Sequence, residues 1–232
     1  MISQGTPQPT DTVRLAVISA GVSDPSSTRL LADRLARRSM EELAAAGIAT
    51  QFTIIDLARL APDVSRVITG GLRSPELTAA IDSIAAADGI IVATPVYKAG
   101  ISGLFKSFID VLDDDLFIAK PVVLAATAGT PRHAMVVDEQ MRPLFAFLRA
   151  IPAPTSIFAA TEDWASTALG ERIDRVAAEL TTLLRSGVGR AIAEDGWRGY
   201  QHQFGGAATR AERTVADVDF GTDLMRLAAG GG

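Results

Sequence analysis

Three short runs, VRLAVIS at 13–19, GIIVAT at 89–94 and PVVLAAT at 121–127, are apolar almost from end to end, and helix-period patterns separate them. A strand with one wet face alternates apolar and polar residues, whereas one that is apolar throughout has to be covered on both sides. Parallel strands joined by crossover helices meet that demand, so the alternation specifies a layered α/β sheet.

The remaining pattern extends this frame. QFTIIDL at 51–57 alternates as an outer strand does, and TSIFAA at 155–160 reads as a fifth strand. A helix is predicted over 29–46, with Leu31, Leu35 and Leu43 on one face and Gly47 ending it. A second opens at Ser74-Pro75-Glu76, a cap residue, a proline at the first helical position and an acid in the first turn, and buries Leu77, Ile81 and Ile84. Further helices are predicted over 101–112, over 134–150 with Pro143 kinking or restarting it, and over 169–185. Five strands and five helices imply a doubly wound five-stranded parallel sheet with helices on both faces. Residues 1–12 are polar and read as a disordered N-terminal segment, 13–186 as the domain, and 187–232 as a Gly-rich C-terminal extension. That extension carries Trp197, Tyr200, Phe204 and Phe220 and is expected to pack on the domain or on a partner subunit.

Composition removes several function classes. With no cysteine, disulfides, thiolate nucleophiles and Cys-ligated metals are excluded, and two histidines, His133 and His202, make a His-rich metal site improbable. A net charge of -5 gives no electrostatic reason to expect nucleic acid as a partner. The N-terminus lacks the basic and apolar regions of a secretory signal, and the apolar runs are too short to span a bilayer, so a cytoplasmic protein without a membrane partner is expected.

In an open α/β sheet ligands bind beyond the carboxyl ends of the strands, where strand order reverses. Three loops meet that description. The first, SAGVSDPSSTR at 19–29, places hydroxyls before a helix whose free N–H groups and dipole suit a phosphate dianion. Residues of this kind also cap helices with no ligand at all. Neither G-x-G-x-x-G nor G-x-x-x-x-G-K-[ST] is present, so a dinucleotide Rossmann site and an NTPase loop are not indicated. The second, TPVYKAGISG at 94–103, combines a stiffening Pro95, the ring of Tyr97, and Gly100 and Gly103, which permit close backbone approach to a flat heterocycle; an ordinary strand-to-helix turn reads the same way. Lys106 and Asp110 fall beyond it on a solvated helix face. The third, TAGTPRH at 127–133, could flank the other edge of a ring, while its lone His133 is more often a structural residue.

PSSTR at 25–29, TPVYKAGISGLFKSFID at 94–110 and AATAGTPRH at 125–133 together resemble the NADPH-dependent FMN reductase family of flavodoxin-like proteins, over about residues 13–185. The loops and the long C-terminal extension are most similar to reductases that supply reduced flavin to luciferase-like two-component monooxygenases. The resemblance implies FMN as cofactor and NADPH or NADH as hydride donor. By position, it implies that Ser26, Ser27, Thr28 and Arg29 hold the FMN phosphate and that Ser19 and Gly21 shape the pocket. Pro95, Val96, Tyr97 and Lys98 would contact the isoalloxazine ring, and Thr127, Gly129 and Thr130 would lie by its other side. Gly100 stands where relatives often carry a side chain, a departure that would loosen the turn.

The resemblance further implies an NAD(P)H:flavin oxidoreductase with no indispensable catalytic side chain, because the cofactors carry the hydride and the protein aligns them. Free flavin and NAD(P)H would be the substrates, a flavin-dependent monooxygenase a partner, and a homodimer or homotetramer the assembly. In the helix over 134–150, Phe145, Phe147 and Leu148 could face a second subunit or the core. A quinone or azo reductase that retains FMN, and a non-enzymatic electron carrier of the flavodoxin type, use the same fold and stay open at this point.

Overall fold

The computed structural model describes residues 12–196. Its sheet follows the expected pattern with one strand broken. β1 (Val13–Ser19) lies between β2 (Thr50–Asp56) and β3 (Gly89–Tyr97), all parallel, and β5 (Pro121–Ala128) continues parallel on the far side of β3. The predicted fifth strand is two pieces. β6 (Ile151–Pro152) pairs with Pro121 and Val122, and β7 (Ile157–Ala160) pairs with residues 125–128. Counting those two as one outer strand, the order is β2-β1-β3-β5-β6/β7, the flavodoxin-like arrangement in which the five main strands run 2-1-3-4-5, with its switch point between β1 and β3.

Helices cover both faces, as the apolar runs require. α1 (Ser27–Ala45) and α6 (Thr167–Ser186) bury Leu31, Leu35, Ile173 and Val176 against Leu15, Val17, Ile91 and Val123. On the other face α2 (Leu57–Ile68), α3 (Pro75–Ala85), α4 (Gly103–Asp110) and α5 (Arg142–Phe147) pack on Ala16, Ile18, Ile90, Val92 and Leu124. The alternate residues of β1 and β3 therefore serve two separate cores, each stabilised by roughly 25 cal/mol per Å² of apolar surface withdrawn from water.

Four local expectations are corrected. α2 was not anticipated: Asp56 ends β2 and caps the helix by accepting from Ala58 N, while Leu57, Leu60, Val64 and Val67 turn inward around Pro62. The helix predicted from Ile101 starts at Gly103, because Gly100–Ile101 form the short antiparallel strand β4 that folds back on β3. The helix predicted over 134–150 is a wider turn at Val137–Met141 followed by α5, with Pro143 in its first turn, where its missing N–H is harmless.

The fourth correction is the break in the outer strand. Arg142 donates to the carbonyls of Ala153 and Pro154, at 3.2 Å each, and to Ser156 Oγ at 2.6 Å, holding the chain out of register between β6 and β7. Asp138 completes this group by accepting from Arg142 and Ser156.

Beyond α6, Gly187 takes the left-handed conformation (φ 65°) and α7 (Val188–Ala191) turns back onto the domain. A Cβ on Gly189 would stand 2.4 Å from Ala119 O, and Arg190 reaches Asp88 at 3.9 Å. The disordered segment and the aromatic residues expected of residues 1–11 and 197–232 lie outside the described residues. Among the described residues, no helix is long and apolar enough to cross a membrane.

Lys120 secures the end of the sheet away from the candidate site. Its Nζ donates to the carbonyls of Ile84 and Ala85, at 2.6 Å each, at the C-terminus of α3, where a cation complements the helix dipole. Burial pushes the ammonium down from 10.5 to about 8, against the pull of Asp88. Below that value both folded and unfolded chains hold the proton; above it only the unfolded chain does, until 10.5, so raising the pH favours the folded state. The stability of the wild type relative to Lys120→Met, from urea unfolding on either side of pH 8, is therefore expected to rise with pH.

Candidate functional site

β1, β3 and β5 end at the same edge of the sheet, and two hydrogen bonds and a strand pairing bring their following loops together. Ala20 N donates to Ala93 O at 2.9 Å, tying the first loop to β3. Pro95 stands in register with Thr127, side by side on β3 and β5. Thr28 Oγ1 and Thr127 Oγ1 share a buried 2.7 Å hydrogen bond, joining the entrance of α1 to the end of β5. All three loops singled out in the sequence thus meet at the switch point.

The first loop is shaped around the start of α1. Ser26 is the N-cap, with an extended backbone, and its Oγ accepts from Arg29 N at 3.1 Å. A helix leaves its earliest N–H groups without intrahelical partners, and here those belong to Ser27 and Thr28. Ser27 is exposed and Thr28 buried. Gly21 lies so close to the cap that a Cβ there would stand 2.0 Å from Ser26 Oγ. Ser19, the last residue of β1, is 1% exposed, and its Oγ has no hydrogen-bond partner. A buried hydroxyl left unpaired costs free energy, so such a group in a native fold calls for an explanation. Arg29 extends sideways: its guanidinium pairs with Asp33 at 2.8 Å and with Asp56 at 3.6 Å.

The second loop is a hairpin. Pro95 is buried and Val96 half-buried, while Tyr97 is 50% exposed. Val96 and Tyr97 pair with Ile101 and Gly100 of β4, leaving Lys98 and Ala99 as a two-residue turn with φ 51° and 64°. Both central residues at positive φ make this the turn type that glycine and asparagine favour. Neither occupies it here, so each position stores on the order of 1 kcal/mol of strain. Gly100 does not loosen the turn: the side-chain amide of Gln140 lies against it, accepting from Ile101 N at 3.1 Å and donating to Ala99 O at 3.2 Å. Behind the hairpin the buried Thr94 and Ser102 share a 3.2 Å hydrogen bond, and Ser102 caps α4 by accepting from Phe105 N.

Thr127 of the third loop is buried, whereas Gly129 and Thr130 are exposed and lead into a short turn at Pro131–His133. Lys106 and Asp110 form an exposed pair one turn apart on α4, away from the loops' shared edge. Phe145 and Leu148 belong to the core, with Phe145 edge-on to Phe117, and only Phe147 of that trio is open, at 68% exposure. A hollow lined by Arg14, Gln51, Thr53, Asp82 and Ser83 sits at the amino end of the strands, with none of the loop residues in its walls.

Sequence reasoning missed Gln140, the Thr94–Ser102 pair and Asp56. A serine preceding Gly103 was a readable cap signal for Ser102. Nothing local connects Gln140 to a turn about forty residues earlier.

The arrangement suits an anion at the entrance of α1: hydroxyls and N–H groups converge there, and the carboxylates of Asp33 and Asp56 are turned to Arg29. The spacing at Gly21 can be tested without any ligand. Gly21→Ala is expected to lower stability by about 1–3 kcal/mol in urea unfolding, since a methyl there overpacks the cap. Gly129→Ala, whose Cβ would meet nothing within 4 Å, is expected to leave stability unchanged.

Comparison with known proteins agrees with this geometry. Residues 13–165 match the family model described as NADPH-dependent FMN reductase. The chain is 36% identical over 155 residues to an FMN reductase (NADPH) of Pseudomonas aeruginosa, covering 67% of this chain and 81% of that protein. It is 35% identical over 176 residues to the NADH-dependent FMN reductase SfnE of Pseudomonas putida, covering 72% and 89% respectively. A crystal structure of an oxidoreductase from Corynebacterium diphtheriae superposes with a TM-score of 0.73 at 42% identity, covering 75% of this chain and 98% of that one. A doubly wound sheet of order 2-1-3-4-5, a hydroxyl-lined helix entrance at its switch point and these matches over two thirds of the sequence place the chain in the NADPH-dependent FMN reductase family.

Proposed function

We propose that this chain transfers hydride from NADPH or NADH to FMN and releases reduced flavin to a flavin-dependent monooxygenase. The observation that carries the reading is the unpaired, buried Ser19 Oγ at the strand end leading into the α1 entrance. A phosphate or ribityl oxygen of the cofactor would satisfy it, and Gly21, lacking a side chain, lets the loop close against Ser26 beside it. The donor set of hydroxyls, N–H groups and a guanidinium suits a phosphate dianion.

On this reading Ser26, Ser27, Thr28 and Arg29 hold the phosphate, Ser19 and Gly21 form the floor, Pro95, Val96, Tyr97 and Lys98 meet the isoalloxazine ring, and Thr127, Gly129 and Thr130 border its other side. FMN, when bound, supplies the hydride acceptor. The chain's own work is to bind, to orient and to keep the ring edge shielded, so no side chain is assigned as acid, base or nucleophile. The Thr28–Thr127 bond fixes the phosphate end relative to the ring end, and the clamped hairpin fixes the ring's near edge.

Both nicotinamide donors are retained, because one relative is named for NADPH and the other for NADH. The exposed Phe147 supports assembly into a homodimer or homotetramer through the α5 face. We assign 13–186 as the catalytic domain and 187–232 as an extension to it, acting in the cytoplasm. The purified chain is expected to oxidise NADPH or NADH only when FMN is added, with saturation in FMN; no FMN-dependent oxidation with either donor would refute the activity. The Ser26→Ala, Ser27→Ala double variant is expected to raise the KM for FMN at least several-fold, as charge-assisted hydrogen bonds contribute about 1.5–3 kcal/mol each. An unchanged KM would remove the phosphate from the α1 entrance.

A further inference from the structure

We propose that Gln140 is a positioning residue for the flavin ring, acting through the hairpin rather than by touching the ring. The inference rests on the FMN reading above. Lys98 and Ala99 both occupy the left-handed region, at φ 51° and 64°, without the glycine or asparagine that would make it easy. A turn under that strain relaxes unless its surroundings over-determine it.

Gln140 supplies the constraint from outside the hairpin. Its Oε1 accepts from Ile101 N at 3.1 Å and its Nε2 donates to Ala99 O at 3.2 Å, so one planar amide bridges the turn and the returning strand. The two bonds are complementary in sense, each matching a donor to an acceptor. Gly100 completes the fit: a Cβ there would sit 3.2 Å from Gln140 Oε1, tighter than most such contacts. The missing side chain at position 100 is thus the space in which the amide lies.

The placement links two loops. Gln140 belongs to the turn Val137–Met141, which follows the Thr127–His133 loop and leads directly into α5, whose Phe145 is anchored in the core. The hairpin bearing Pro95, Val96, Tyr97 and Lys98 is thereby fixed to the segment following Thr127, Gly129 and Thr130. Two walls of the proposed ring site are held at a set distance by one side chain that belongs to neither. A loss at Gln140 should consequently weaken ring binding while the fold, which has its cores elsewhere, survives.

The test is an FMN titration of the full chain, followed by the visible absorbance change of the flavin, with melting temperature and far-ultraviolet circular dichroism as controls. Gln140→Met keeps the length and removes both hydrogen bonds, and is expected to weaken FMN binding about five- to tenfold with unchanged secondary structure, the loss expected for a bond pair of this kind. Adding Ala99→Gly, which makes positive φ easy, is expected to restore most of that affinity. Wild-type affinity in Gln140→Met overturns the proposal, and so does a loss that Ala99→Gly fails to repair. Should Gln140→Met not fold, Gln140→Glu takes its place: a carboxylate facing Ala99 O is expected to weaken FMN similarly, and unchanged affinity overturns the assignment. If the wild-type chain itself gives no FMN signal, the underlying FMN reading fails instead.

Discussion

β3 and β5 lie side by side, run the same way and are buried on both faces. Everything else follows from satisfying that pair. Their backbone groups must bond to neighbouring parallel strands, their side chains must meet helices above and below, and each connection must then leave from the same edge. The three loops are neighbours for this reason alone. Their residue types give that edge its character, with small hydroxyls at the α1 entrance, a hairpin beside it, and Thr28 bonded to Thr127 between them.

The site is held by short polar contacts rather than by charge. Each of its interactions is modest, since a neutral hydrogen bond contributes about 1 kcal/mol net, yet the buried ones are hard to exchange because an abandoned partner has no water to turn to. Thr28 with Thr127 and Thr94 with Ser102 are of this kind. The charges stay at the margin: Arg29 shares Asp33 and Asp56, and Lys106 pairs with Asp110 on an exposed helix face. A surface arranged this way can receive an anionic ligand without first breaking a buried ion pair.

What could be read from the sequence divides along a physical line. β1, β3, β5 and the capped start of α3 were legible because two-sided burial and helix capping leave local signals. So was the cluster of hydroxyls at the α1 entrance. α2 escaped because Leu57 continues the strand run 51–57 and Pro62 interrupts the pattern, although Leu57, Leu60, Val64 and Val67 mark its buried stripe. The hairpin escaped because Lys98-Ala99 is not turn chemistry by composition; its shape is imposed by Gln140, a contact across about forty residues. The split between β6 and β7 escaped in the same way, being the work of Arg142 on the carbonyls of Ala153 and Pro154. Long-range side-chain-to-backbone bonds leave no periodicity.

That split has an outcome for how copies of the chain can meet. An unbroken outer strand presents a row of unpaired backbone donors and acceptors on which a foreign strand can grow. Here the rim is two fragments of two and four residues, with the carbonyls between them occupied by a guanidinium. Among the described residues no straight ladder is left on that side, and a foreign strand would find only short, offset runs to extend.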